Sequence, residues 1–132
     1  MRFKQNKYYN KKVSIDGYEF DSEKEASRYY QLKLLLRAGE ISNLELQKEY
    51  ELIPAQYETF ERYSQKGERL KDGVRLVERK TVYVADFVYI DTATGKTVVE
   101  DVKGYKEGSA YQIFTIKRKL MLYKHGIRIR EI

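Results

Sequence analysis

Apolar residues alternate most regularly over Thr81–Ile90. Val82, Val84, Val88 and Ile90 fall on one side, and Tyr83, Ala85, Phe87 and Tyr89 on the other. Both sides are apolar, which predicts a central strand covered on two faces. Thr97–Lys103 reads as its neighbour, after a turn over Asp91–Lys96 with Thr94-Gly95 at the tip. Upstream, Val13–Phe20 reads as a hairpin around Asp16-Gly17, the dipeptide that tolerates two positive φ angles in succession. Ser22-Glu23-Lys24-Glu25 is a capping box, predicting a helix from Ser22 to about Ala38 that Gly39 ends. Ile41–Leu46 reads as a short connector and Gln47–Pro54 as a strand. Residues 55–80 are charged, with turn signals at Gln65-Lys66-Gly67 and Lys71-Asp72-Gly73, and predict a protruding hairpin. Ser109–Lys124 has helical spacing, with Ile113, Ile116, Leu120 and Tyr123 as the expected buried stripe and Gly126 as the stop. Ile127–Ile132 reads as a last strand. The fold class that follows is α/β, a mixed sheet with one helix on each side. At 132 residues there is one domain, over residues 13–132, behind a basic arm at 1–12.

Composition narrows the chemistry. There is no cysteine and one histidine, which excludes a disulfide scaffold, a zinc ribbon and a thiol nucleophile. No apolar run is long enough to span a membrane, and the first residues lack the apolar stretch of a signal peptide; the expectation is a soluble, cytoplasmic protein. The net charge is +6, unevenly spread. Residues 13–59 are acidic, whereas residues 1–12, 60–80 and 101–132 are basic. Basic flanks suit a polyanion, because Lys and Arg replace the counterions condensed on phosphates.

Against this background three acids are misplaced. Asp86 interrupts the apolar row of the central strand. Asp101 and Lys103 share one side of the next strand, and Glu100 points the other way. If Asp91 pairs with Lys96 across the turn, Asp86 and Asp101 lie directly opposite each other, with Cβ atoms roughly 5 Å apart. Facing like charges destabilise a strand pair unless something neutralises them, and hard oxygen donors suit magnesium or manganese. Glu25 stands at the centre of the apolar stripe of the first helix, although as the third residue of a capping box it needs no other role.

Glu25 on a helix, Asp86 on one strand and Asp101-Val102-Lys103 on the next together resemble the PD-(D/E)XK nuclease superfamily. The segments Phe20–Tyr29, Gly39–Gln47, Ala85-Asp86-Phe87 and Glu100–Gly104 resemble a family of small phage proteins within it, related to Holliday junction resolvase-like and TnsA-like endonucleases. The proline of the motif is replaced by Ala85, and the third acid is Asp101 rather than glutamate. The resemblance implies a restriction-endonuclease-like core. It implies a Mg²⁺- or Mn²⁺-dependent endodeoxyribonuclease, phage-encoded, working in the bacterial host cell on structured or branched DNA. It further implies that Asp86, Asp101 and the Val102 carbonyl hold the metal, that Glu25 assists directly or through water, and that Lys103 orients the attacking water.

Gln47, Glu100 and Gln112 are candidate site-lining residues, and if the strand register slips Glu100 competes with Asp101 for the ligand role. Arg62, Lys66, Arg69 and Lys71 of the hairpin, and Lys117, Arg118, Lys119 and Lys124 of the second helix, are candidate DNA contacts. Two other readings stand beside this one. One is a non-catalytic nucleic-acid-binding module on the same fold. The other is a regulatory interaction protein whose buried acids are ion-paired, with Arg28 or Lys103 as partners. The sequence leaves the oligomeric state open, although two symmetric cuts in a junction would need a homodimer.

Overall fold

A computed structural model describes residues 12–104 and 106–132. The arm expected at 1–12 therefore lies, Lys12 excepted, outside the described residues. β1 (Val13–Ile15) and β2 (Tyr18–Phe20) form the expected hairpin, with φ of 52° at Asp16 and 80° at Gly17. The N-cap expected at Ser22 forms as well. α1 runs Glu23–Arg37, and the Ser22 hydroxyl accepts from the Glu25 N–H at 3.1 Å.

The central sheet has the order β3-β6-β7-β8. β3 spans Ile41–Ile53, β6 Thr81–Asp91, β7 Thr97–Asp101 and β8 Arg130–Glu131. β3, β6 and β7 are antiparallel neighbours, and β8 joins β7 in parallel, so the sheet is mixed. α2 (Gly108–His125) is the crossover between β7 and β8 and ends at Gly126 with φ 67°. The strand expected over 127–132 shrinks to two residues.

Two apolar clusters lie on opposite faces of this sheet. Phe20, Ala26, Tyr29 and Leu32 from the β2–α1 side pack on Ile41, Phe87 and Tyr89. Phe114 and Met121 of α2 pack on Leu52, Tyr83, Ala85, Val88 and Val99. The buried side of α2 thus differs from the expected stripe: Ile113, Ile116 and Tyr123 are exposed.

β6 feeds both clusters out of simple alternation. Tyr83 and Ala85 face α2, whereas Phe87 and Tyr89 face α1. β3 switches in the same place, with Leu44 and Leu46 on the α1 side and Tyr50 and Leu52 on the α2 side. The change of layer falls at Asp86 on β6 and Gln47 on β3. Gln47 has φ 54°, a left-handed conformation that side-chain-bearing residues seldom adopt. The row that placed Asp86 on one side of an unbroken strand is corrected accordingly. Gln47 also does not begin a strand: residues 41–46 belong to β3, and Gln47 sits in its middle.

β4 (Gln56–Tyr63) and β5 (Arg69–Glu78) form the protruding hairpin as a separate two-stranded sheet, set off from β3 by Pro54 and Ala55. Its turn lies at Ser64–Glu68, where the Gly67 N–H reaches the Ser64 carbonyl. The second turn signal, Lys71-Asp72-Gly73, instead lies inside β5 at an irregularity of pairing.

Candidate functional site

The β6–β7 turn closes with the Asp91 N–H on the Lys96 carbonyl, and Phe87 pairs with Glu100. This register, continued by one residue, sets Asp86 opposite Asp101. Several contacts gather around that point. Asp86 Oδ2 accepts the Val102 N–H at 2.8 Å. Asp101 Oδ2 accepts the buried Tyr83 hydroxyl at 2.7 Å, and its Oδ1 stands 3.0 Å from Lys103 Nζ. The Lys103 ammonium lies 3.5 Å from the centre of the Phe114 ring, a cation–π contact that limits its reach to the Asp101 side. Gln47 Nε2 donates to Glu25 Oε1 at 3.2 Å and, at 3.4 Å, to Asp86 Oδ1. The first turn of α1 is tied to the same place, because Lys24 Nζ donates to the Lys103 carbonyl at 2.6 Å. The backbone around Lys103 is held from the other side by Ile132, which accepts from the Lys103 N–H and donates to the Asp101 carbonyl.

The acids perturb one another. Glu25 is raised to about 7, chiefly by burial and then by the charges of Asp86, Asp21 and Asp101. Asp86 is raised to about 6, again chiefly by burial, with Asp101 adding to it and the Val102 N–H opposing. Tyr83 is pushed far above the phenol range by burial and by Asp101, so it stays protonated and donates. The donor set is all oxygen, as magnesium and manganese prefer. As the side chains lie, no group of three His, Cys, Asp or Glu residues among the described residues is gathered closely enough to hold an ion. The chemistry fits a divalent cation. As it stands, the Gln47 amide bridges Glu25 and Asp86.

A family model matches residues 5–131, nearly the whole chain. The chain belongs to the DUF1064 family. Its description is a protein of unknown function, so membership brings no activity with it. No curated protein and no solved structure matches the chain.

In this DUF1064 member the remaining expected residues are dispersed. Glu100, a candidate lining residue and, had the register slipped, a rival ligand to Asp101, is wholly buried on the α1 face instead. It accepts two bonds from Arg28, at 2.8 and 2.6 Å, and a short one from the Tyr89 hydroxyl. It is a core ion pair and does not line the site. Gln112 is exposed on α2.

Among the expected DNA contacts, Arg118 is half-buried and bonded to Glu131 at 3.2 Å, Lys124 meets Glu51 at 3.4 Å, and Arg69 meets Asp72 at 2.5 Å. Lys119 is exposed and Lys117 half-buried on α2; Arg62, Lys66 and Lys71 are exposed on the hairpin. Sequence reasoning missed Tyr83 and Phe114, which hold Asp101 and Lys103, since an aromatic in an apolar strand or helix reads simply as core. No helix among the described residues is long and apolar enough to cross a membrane.

Proposed function

We propose that this DUF1064 protein is a metal-dependent endonuclease that hydrolyses DNA phosphodiester bonds in a bacterial host cell, on structured or branched DNA. The observation that supports this reading best is the convergence of Glu25, Asp86 and Asp101, from three elements, beside one ammonium, Lys103. Clustered buried carboxylates are costly unless a cation compensates them, and of the three acids only Asp101 is paired with an ammonium, Lys103. Mg²⁺ or Mn²⁺ bound there would polarise the scissile phosphate and lower the pKa of a water molecule. Asp86 and Asp101 would be its principal ligands, with the Val102 carbonyl and Glu25 completing the set.

Lys103, fixed between Asp101 and the Phe114 ring, holds the attacking water in line and offsets the charge that develops on phosphorus. Tyr83 keeps Asp101 turned toward the site by donating to its outer oxygen. Lys66, Lys71, Lys117 and Lys119 offer exposed or half-exposed ammonium groups for the DNA backbone.

The test is cleavage of single-stranded, duplex, flap and four-way junction DNA with Mg²⁺ or Mn²⁺, beside Asp101→Ala. Metal-dependent cleavage that falls to background in the variant is the expected result. Binding without cleavage in either metal would favour a non-catalytic module, and neither would leave the acids as structural ion pairs.

A further inference from the structure

Among the described residues, the β4–β5 ribbon packs its two strands on each other and on almost nothing else. An isolated two-stranded hairpin is marginal in water. This one also exposes large apolar side chains, among them Tyr57 at 63%, Tyr63 at 56% and Val74 at 65% of their surface. Its charges are partly consumed internally. Arg75 bonds Glu58 at 2.5 Å and Arg69 bonds Asp72.

The two edges of the ribbon are not equivalent. Between Tyr57 and Gln56, β5 holds an extra residue against β4, and between Phe60 and Arg62 it holds another. Both irregularities therefore fall on β5, which also carries Lys71 and Gly73. Bulges and lysines are among the devices by which edge strands avoid pairing with another chain, and an interior glycine weakens a strand. β4, Gln56–Tyr63, has no Lys, Pro or Gly and no inserted residue, and its outer edge pairs with no strand among the described residues. It is a regular, open edge.

We propose that this edge pairs with the same edge of a second copy, antiparallel about a two-fold axis at Phe60, to give a four-stranded ribbon. Residues facing each other across a strand pair lie on the same side of the sheet, so a two-fold partner must be an even number of positions away. Centring on Phe60 sets Glu58 opposite Arg62 of the second copy, Tyr57 opposite Tyr63, and Phe60 opposite itself. Glu58 thus meets Arg62, twice over by symmetry, the aromatics meet aromatics, and Glu61 faces the uncharged Thr59.

Shifting the centre to Glu61 would oppose two glutamates, and shifting it to Thr59 would pair no charges. In the observed hairpin Glu58, Phe60, Gly73 and Arg75 already share a side. The Arg75 guanidinium lies 4.7 Å from the Phe60 ring centre, and the ring covers Gly73. Arg62, two residues beyond Phe60, falls on that same side, where it has no ion-pair partner among the described residues. The inference does not depend on what the acidic site does.

The experiment is sedimentation equilibrium on the full chain, wild type beside Glu58→Arg and Arg62→Glu. The wild type should be a dimer. Each single variant puts like charges opposite each other and should weaken the dimer at least about tenfold. Mixing the two variants should restore it. In the mixed pair the two introduced charges, which are opposite in sign, face each other across the axis, and the unchanged Arg62 of one copy still faces the unchanged Glu58 of the other. A monomeric wild type would overturn the inference. So would single variants that dimerise normally, or a mixture that stays monomeric. Loss of DNA binding in Arg62→Glu with no change of mass would assign the ribbon to nucleic acid and overturn it too. Circular dichroism of each variant separates these results from unfolding.

Discussion

Glu25 and Asp86 keep protons that exposed carboxylates would have lost, one to about pH 7 and the other to about pH 6. An acid raised in the fold is penalised when it ionises. Stability is therefore greatest below the ordinary carboxylate range, declines as the pH climbs toward the raised values, and is flat above them. Glu25→Gln removes much of that slope. We expect its melting temperature to match the wild type near pH 4 and to exceed it at pH 8, by on the order of 5 °C, in calorimetry run without divalent ions. For the same reason Mn²⁺ should stabilise the wild type more at pH 8 than at pH 5.5, and Glu25→Gln should blunt the gain.

Glu100 tests the opposite case. Arg28→Met leaves it buried with only the Tyr89 hydroxyl and the Arg130 guanidinium at 3.9 Å as partners, a change that costs roughly 3 kcal/mol, whereas Arg28→Met with Glu100→Leu should recover most of the loss in urea titration. At this scale the sequence shows a good deal. An acid in an apolar row, or one facing another acid across a turn of known length, has no cheap explanation, and that singles out Asp86 and Asp101. It does not show the left-handed Gln47, because glutamine carries no preference for positive φ and nothing around it marks the change of layer.

Elements announce themselves where their ends carry chemistry. The Ser22 N-cap, Asp16-Gly17 and Gly126 all stand where the pattern puts them, because each satisfies a backbone requirement that few residues can meet. β3 reads as starting six residues late, since a strand that switches faces half-way shows neither alternation nor an unbroken apolar run. The buried side of α2 is misread because the helix has two apolar sides, and periodicity alone does not say which one meets the sheet.

The ribbon supplies a test at this scale. A Cβ on Gly73 would stand 2.2 Å from the Phe60 ring, so Gly73→Ala must turn the ring away from Arg75. Faster hydrogen exchange confined to β4 and β5, with β6 unchanged, is the expected signature.

Across the whole molecule, the sheet with its two helices behaves as one body and the ribbon as an appendage to it. Replacing residues 56–78 with a short turn should leave the melting temperature within a few degrees of the wild type and preserve stabilisation by Mn²⁺; a collapse of the fold would show the ribbon to be integral.

The change of layer at Gln47 and Asp86 divides the chain in a way that bears on how its length can vary. Between that point and the ribbon, Tyr83 and Ala85 must keep facing α2, and Tyr83 must keep its hydroxyl on Asp101. One residue gained or lost in that stretch turns Tyr83 to the wrong face and releases Asp101. Beyond Pro54 no such phase is imposed from the body. Descendants of this gene are free to lengthen or shorten the ribbon in matched pairs of residues, while on β6 a residue gained between Tyr83 and the acids would break the Tyr83–Asp101 bond.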